Sequence, residues 1–308
     1  MPGPPVGVPD PTESFQGISG TSSKDVWLLT SYRAQHWDGH RWTCVDFGRQ
    51  SAESEITFTA SDIAVRDRND VWVVGHKREA PDQQPYAWHW DGDVWRKTVT
   101  PTGQHEVSIV SANDVWATTF EFGYTDDGYK FTHWDGHEWE RVRTPPLEPP
   151  PGSEIDRAGG WIWAAEIYDM AAGASGDLWA AGAANWRKPG DVERGENAPA
   201  RTKALLMHWD GRRWSYSLGP KTYEYGGYTS IAPDGAGGIW AVLDGHSYVH
   251  HDRRGRVTTI NAPGSRTGRG RLAVGRLVNL PGSTSMLAIA NRDKPHGDAL
   301  VQAYGPLP

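Results

Sequence analysis

Short runs of apolar and β-branched residues recur along this chain, each bounded by residues that favour turns. One clear run covers residues 26–31, after the turn sequence 22–25 and before a further short run at 35–37. Runs of this length, rich in Val, Thr and Trp and separated by Gly, Asp, Asn and Ser, predict β-strands joined by tight connections. The sequence therefore predicts an all-β protein.

Two phrases recur in a fixed order through these runs. The first is Asp-Val-Trp or Asp-Leu-Trp, at residues 25–27, 70–72, 114–116 and 177–179. The second is His-Trp-Asp-Gly, at residues 36–39, 89–92, 133–136 and 208–211, with a further tryptophan three residues after each glycine: Trp42, Trp95, Trp139 and Trp214. A compound repeat of roughly 45 to 50 residues has the length of one four-stranded propeller blade.

Within one unit, Asp38-Gly39 predicts a two-residue type I′ hairpin, with Trp37 opposite His40. Period-two alternation then brings Trp37 and Trp42 to the same face, where the indoles fill the gap between neighbouring sheets. The repeated histidines are predicted to be structural, since radial symmetry would keep the copies too far apart to share a metal. Each imidazole is expected to pack on its neighbours, and each aspartate to accept bonds from turn amides.

Six blades are predicted, at residues 15–47, 57–100, 105–144, 166–218, 228–260 and 271–304. The last has lost both phrases and shows only three strand-like runs. A segment near residues 6–8 is therefore predicted to add the missing outer strand and close the ring, because an unpaired sheet edge is a liability. The predicted fold is a single β-propeller domain over residues 1–308, with six four-stranded blades and seven as the alternative.

The chain resembles the bacterial repeat β-propellers whose units carry Asp-Val-Trp-Ala-Val-Gly followed by His-Trp-Asp-Gly and a further Trp. The resemblance covers nearly the whole chain and is strongest in blades one to four. It implies a propeller architecture and says almost nothing about activity, because similar repeats occur in proteins of unrelated or unknown role.

Composition narrows the function classes. A net charge of -7 argues against a nucleic-acid surface, and no apolar run approaches the roughly 18 residues of a membrane helix. Cys44 is the single cysteine, so no intrachain disulfide can form. A soluble, cytoplasmic monomer is the expectation, with an extracellular location as the alternative if a leader has been removed.

Long, irregular loops at about residues 76–86, 121–129, 144–162 and 183–204 fall on the face where a propeller channel opens, and function usually resides in such loops. Aligning the blades on their second-strand tryptophan places polar residues of the first strands near this mouth: Gln16, Asp62, His105, Glu106, Tyr168, Asp169, Tyr228 and Arg271. Nearby loops add further candidates: His76, Glu121, Asp244 and His246. Neighbouring imidazoles, carboxylates and guanidinium groups tune each other's pKa and suit acid–base work or ligand binding. The alternative is that these side chains only solvate a water-filled channel.

No catalytic motif such as Gly-x-Ser-x-Gly or His-Glu-x-x-His occurs. The leading hypothesis is a binding propeller with one asymmetric site at the channel mouth for a small molecule, glycan or peptide. The alternative is a hydrolase, lyase or cyclase with His105 or His76 as base and Glu106, Asp169 or Glu121 as its partner. A protein-interaction scaffold is the third possibility. Whether the chain is an enzyme, and whether it holds a cofactor or a channel metal, stays open at this point.

Overall fold

The computed structural model describes residues 15–47, 58–76, 84–119, 129–147, 163–173, 176–186, 201–223, 226–261, 272–279, 286–292 and 299–304. The regular elements in these ranges are all β-strands, so the all-β prediction is confirmed. No helix long and apolar enough to cross a membrane occurs in this part of the chain.

The described strands form six antiparallel sheets, five with four strands and one with three. Sheet one consists of β1 (Phe15–Ser22), β2 (Asp25–Thr30), β3 (Arg33–Trp37) and β4 (Trp42–Asp46). Sheet two consists of β5 (Thr59–Asp67), β6 (Asp70–His76), β7 (Tyr86–Trp90) and β8 (Trp95–Val99). Sheet three consists of β9 (Gln104–Ser111), β10 (Asp114–Thr119), β11 (Tyr129–Trp134) and β12 (Trp139–Arg143). Sheet four consists of β13 (Trp163–Ala172), β14 (Leu178–Trp186), β15 (Arg201–Trp209) and β16 (Trp214–Thr222). Sheet five consists of β17 (Tyr228–Pro233), β18 (Ile239–Leu243), β19 (Ser247–His251) and β20 (Val257–Asn261). Sheet six consists of β21 (Leu272–Asn279), β22 (Met286–Arg292) and β23 (Ala299–Tyr304). The six sheets correspond to the six predicted blades, while the predicted closing strand at residues 6–8 lies outside the described residues.

The chain divides into two compact units. Unit 1 comprises Met1–Phe122 and Tyr129–Thr144, and unit 2 comprises Gly123–Gly128 and Pro145–Pro308. In unit 1 the first strands of successive sheets are in contact, β1 with β5 and β5 with β9. In unit 2 the same holds for β13 with β17 and β17 with β21. Each unit is thus a series of meander sheets whose first strands lie side by side.

The hairpin between the third and fourth strands differs from the predicted type I′ turn. Trp37 pairs with Trp42 rather than with His40. Asp38 Oδ1 accepts hydrogen bonds from the backbone N–H of His40 and Arg41, both at 2.8 Å, and φ is positive only at the glycine that follows Asp38. The aspartate side chain thereby holds a four-residue loop. The predicted shared face of Trp37 and Trp42 is confirmed, with ring centroids 5.7 Å apart.

Three further turns use the same arrangement, and a five-residue loop in sheet five, which lacks the phrase Asp-Gly, uses a related one. There Asp252 Oδ1 accepts from the backbone N–H of Arg254 and Arg256. Backbone hydrogen bonds hold the pKa of Asp38, Asp135, Asp210 and Asp252 below its ordinary value, and the same holds for Asp91. These carboxylates are therefore anionic at neutral pH, and the prediction that they bind turn amides is confirmed.

Tryptophans of the repeat fill the space between sheets two and three. Trp72 is completely buried, and its ring centroid lies 5.3 Å from those of both Trp134 and Trp139. The surrounding core includes Val74 of sheet two and Val107 of sheet three. Because buried indoles contribute large apolar areas, they hold neighbouring sheets together.

A group of one tryptophan, one histidine and one aspartate repeats in five sheets, with the imidazole stacked on the indole in four of them and tilted against it in sheet three. In sheet two, His89 Nε2 lies 2.8 Å from Asp70 Oδ1, and the imidazole stacks on Trp72 with centroids 4.2 Å apart. The other members are Asp25–His36–Trp27, Asp114–His133–Trp116, Asp177–His208–Trp179 and Asp234–His250–Trp240. The predicted packing of each imidazole on its neighbours is confirmed, and its bond to the aspartate of the other phrase is an addition.

Candidate functional site

Four of the predicted site residues lie at one end of sheets two and three in unit 1. β6 ends at His76, which pairs with Thr59 at the start of β5, and β9 begins immediately before His105 and Glu106. The charge of Asp62 acts on His105, and the charge of His105 acts on His76. His76, predicted from a loop, and His105, predicted from a first strand, are thus close enough for their charges to interact.

His105 and Glu106 form a direct pair. His105 Nδ1 lies 3.1 Å from Glu106 Oε1, with His105 about half exposed (48%) and Glu106 largely buried (11%). Consecutive residues of a regular strand point to opposite faces, but β9 has a register shift between Gln104 and Val107. Such a bulge re-aims side chains, and here it allows two neighbouring residues to meet. The Glu106 N–H donates to Thr118 Oγ1 at 2.9 Å, which fixes the strand at this point.

The two histidines favour their neutral forms. Burial lowers the pKa of His105, and the nearby Asp62 carboxylate only partly opposes this effect. Burial and the neighbouring His105 both lower the pKa of His76. A neutral imidazole has one donor and one acceptor nitrogen, so at pH 7 this end of unit 1 can accept as well as donate hydrogen bonds.

Asp62 itself connects two sheets. Its side chain is 3% exposed, and its Oδ2 accepts a hydrogen bond from the backbone N–H of Val107 at 3.1 Å. The bond joins β5 to β9 directly, immediately after the bulge at Ala60 and Asp62. Asp62 therefore positions the strand that carries His105 and Glu106, and its burial leaves little of it for a ligand.

Asp169 has the equivalent place in unit 2. Its Oδ2 accepts from Ser230 Oγ at 2.6 Å and from the Ile231 N–H at 2.8 Å, while its Oδ1 accepts from the Met170 N–H at 2.9 Å. Ser230 Oγ in turn accepts from the Leu277 N–H at 3.0 Å. Three successive first strands are thus linked by buried polar side chains, which is a structural use of the residue expected as a catalytic partner.

The strand register also corrects the sequence-based alignment of the first strands. Counting from each bulge, the equivalents of Asp62 are Gly17, Glu106, Asp169, Ser230 and Arg276. Arg271, chosen from the sequence, lies outside the described residues, as does Glu121. Gln16, which directly precedes Gly17, donates from Nε2 to Ser31 Oγ at 2.9 Å.

Two predicted tyrosines in unit 2 have different surroundings. Tyr168 donates to Glu166 Oε2 at 2.7 Å, and its pKa is raised by burial and by that carboxylate. Tyr228 is completely buried, its hydroxyl lies 3.1 Å from His251 Nε2, and burial raises its pKa to about 12. Tyr228 therefore belongs to the core. Glu166 was missed, although it lies only two residues before Tyr168 in the same strand.

Asp244 and His246 lie in the connection between β18 and β19. Asp244 has φ 52°, the one positive value at a non-glycine among the described residues. Its Oδ1 accepts from the Gly227 N–H at 2.9 Å. Burial raises the pKa of Asp244, and backbone hydrogen bonds and His246 partly oppose it. Asp244 and His246 thus interact in unit 2 through charge, whereas His105 and Glu106 in unit 1 are in direct contact at 3.1 Å.

Within the described ranges, no three His, Cys, Asp or Glu side chains are grouped so that they could hold a metal ion. The repeated histidines lie instead against indoles, each directed at one aspartate.

No protein-family model matches this chain, and no curated protein matches it in sequence. Solved structures resemble it in fold. A streptogramin B lyase is 12% identical with a TM-score of 0.54, over 96% of this chain and 84% of the lyase. The fold is that of the β-propellers. The virginiamycin B lyase from Staphylococcus aureus is 11% identical with a TM-score of 0.52, over 94% of this chain and 84% of its own.

A catalytically inactive variant of the Staphylococcus aureus enzyme, solved with quinupristin, is 10% identical with a TM-score of 0.54, over 95% of this chain and 84% of that chain. At such identities the similarity establishes the propeller fold alone. The resemblance to repeat β-propellers is confirmed at that level.

Proposed function

We propose that this chain is a β-propeller binding protein whose ligand contacts His76, His105 and Glu106 in unit 1. The observation that carries the proposal is the His105–Glu106 pair, 3.1 Å apart and outside the repeated group of tryptophan, histidine and aspartate. Five other histidine–carboxylate pairs repeat in the described sheets, each with its imidazole against a tryptophan. A pair that departs from such a repeat needs its own explanation, and its partial exposure favours contact with a ligand.

The chemistry of the pair defines the kind of ligand. Two imidazoles that favour the neutral form supply donors and acceptors, and Glu106 supplies carboxyl oxygens. Groups that satisfy them include hydroxyls, amides and amines, as found in small polar molecules, glycans and peptides. The structural neighbour solved with quinupristin supports a ligand of this general kind.

Saturation-transfer NMR on the full chain tests binding, with quinupristin, a set of disaccharides and a set of tripeptides as separate probes. The wild type is compared with H105A, E106Q and the control H40A, which replaces an exposed hairpin histidine. We expect at least one probe to bind the wild type and H40A, and to lose about tenfold or more in affinity with H105A and E106Q. Equal binding by all four proteins, or no binding, contradicts the proposal.

The second candidate is an acid–base enzyme of the lyase, hydrolase or cyclase kind. It is favoured by the lowered pKa of His105, whose Nδ1 faces a carboxylate, an arrangement that orients an imidazole as a general base. Incubating each bound probe with the protein, followed by chromatography and mass spectrometry, separates the candidates. An enzyme converts the probe, and E106Q slows conversion by about 10²-fold or more. Binding without conversion supports the binding protein.

A further inference from the structure

The outer strand of sheet five differs from the outer strands of sheets one to four. Those four strands begin with a tryptophan that pairs with a second tryptophan across the hairpin. β20 begins instead with Val257, which is 54% exposed. All five residues of β20 are exposed, including Ile260. No side chain of this strand is therefore anchored in the core.

β20 also has no charged residue to protect its edge. Its sequence is Val-Thr-Thr-Ile-Asn, which combines strong strand formers with neutral polar groups. The outer strands of sheets two and three carry Arg96, Lys97, Glu140, Arg141 and Arg143. Charges on an edge strand discourage pairing with another chain, so β20 is the least protected of these edges.

The register shows which backbone groups of β20 point outward. The Asp252 N–H donates to Arg256 O at 2.9 Å, and His251 and Val257 form the next pair. Hydrogen-bonded and non-bonded pairs alternate in an antiparallel ladder. Val257, Thr259 and Asn261 therefore direct their N–H and C=O groups away from β19. Among the described strands, β20 pairs with β19 alone.

The hairpin next to this edge is basic. Arg253, Arg254 and Arg256 are exposed, and Asp252 is the one acidic residue of the turn. The whole chain has a net charge of -7, so this local excess of positive charge runs against its overall balance. Arginine side chains recognise carboxylates through charge-assisted hydrogen bonds.

We propose that β20 docks an extended, acidic segment of a partner protein, which adds to sheet five as a further strand. The outward backbone groups of Val257, Thr259 and Asn261 would supply the ladder, and the hairpin arginines would contact the acidic side chains. This surface is separate from the pair His105–Glu106, and the inference does not depend on the function proposed for that pair.

Fluorescence anisotropy on the full chain tests the proposal with a labelled ten-residue peptide that alternates Glu and Val. A Lys/Val peptide is the charge control. T259P removes one outward N–H while leaving the bonds to β19, because proline is tolerated on an edge. T259A keeps that N–H and serves as its matched control.

We expect the acidic peptide to bind the wild type and T259A within about twofold of each other, and T259P about tenfold more weakly. R253E/R254E is expected to weaken binding by a similar factor, and added salt to weaken it further. This second variant leaves the strand unchanged, so it tests the surface even if T259P unfolds, which circular dichroism reports.

Three results would overturn the proposal. They are equal binding of the Lys/Val peptide, undiminished binding by both T259P and R253E/R254E, and no binding of the acidic peptide. Light scattering tests whether a second copy of this chain, instead of a partner protein, binds to β20. A dimer that T259P dissociates would show that β20 pairs with a second copy of this chain instead.

Discussion

Sheet two and the start of sheet three each contain a histidine paired with a carboxylate, yet the two pairs are built differently. His89 and Asp70 come from two phrases 19 residues apart, and His89 stacks on the fully buried Trp72. His105 and Glu106 are consecutive, meet through a bulge, and leave the imidazole half exposed. The residue types are alike, so the packing around each pair, and its place in or outside the repeat, separates scaffold from candidate site.

The largest effect is expected where the repeated group meets the core. W72A removes an indole that contacts Trp134 and Trp139 and supports His89. Urea unfolding should show a loss of about 3–5 kcal/mol in the free energy of unfolding. V99A, at a side chain that is 56% exposed, should stay within about 0.5 kcal/mol of the wild type. A loss below about 1 kcal/mol for W72A would mean that the repeated group is not the scaffold.

A smaller but still large effect is expected at Asp169, whose role the structure shifts from catalysis towards anchoring. D169A leaves the N–H groups of Met170 and Ile231 and the Ser230 hydroxyl without their acceptor. Because unsatisfied buried donors are costly, we expect a loss of about 2–4 kcal/mol by urea unfolding. D46A, at an exposed carboxylate paired with Arg33, is the control and should cost under about 1 kcal/mol. Equal losses would argue against the anchor.

Two hairpin glycines provide a test of the turn geometry in the repeat. Gly92 and Gly211 have φ of 95° and 88°, so alanine is strained at both, and G211A should cost about 1 kcal/mol. A Cβ on Gly92 would also lie 2.8 Å from Asn69 Cβ, whereas one on Gly211 would meet no described atom within 4 Å. Thermal unfolding should therefore show a larger loss for G92A than for G211A. The reverse order would contradict the turn geometry.

The smallest effect concerns pH and belongs to the pair outside the repeat. The pKa of His105 is lowered below 6.5 by burial, so the folded state resists protonation. Its contribution to stability is complete above pH 6.5 and decreases as pH falls towards the folded pKa. Histidine NMR should give a midpoint below 6.5 for His105, and ligand affinity should fall at acid pH. A midpoint at or above 6.5 would contradict the lowered pKa of His105.

Much of the fold could be predicted because the repeated phrases indicate the same strand arrangement several times. The phrases located the second and third strands of sheets one to four, and strand rhythm alone located those of sheets five and six. The hairpin register was wrong because Asp38 uses its side chain to hold the loop, which residue types alone do not reveal. The hydrogen bond between Asp177 and His208 joins residues 31 positions apart, so no local sequence pattern predicted it.

The candidate site could be predicted only in part. Alignment placed His105 and Glu106 correctly at the start of a first strand, but it could not show that a bulge brings them together. The same one-residue irregularities shifted the other assignments, since Ser230 rather than Tyr228 is the equivalent of Asp62. Bulges depend on the backbone and leave no reliable trace in a single sequence.

One comparison of unfolding free energies tests the central claim, that His105–Glu106 is not part of the scaffold. D70N and E106Q are both isosteric changes, measured side by side by urea unfolding. His89 and Arg66 bond to different oxygens of Asp70, and asparagine replaces one of these oxygens with an NH2 group, so D70N should lose about 1–3 kcal/mol. E106Q should stay within about 0.5 kcal/mol of the wild type. A loss for E106Q as large as that for D70N would contradict the account and make both pairs scaffold.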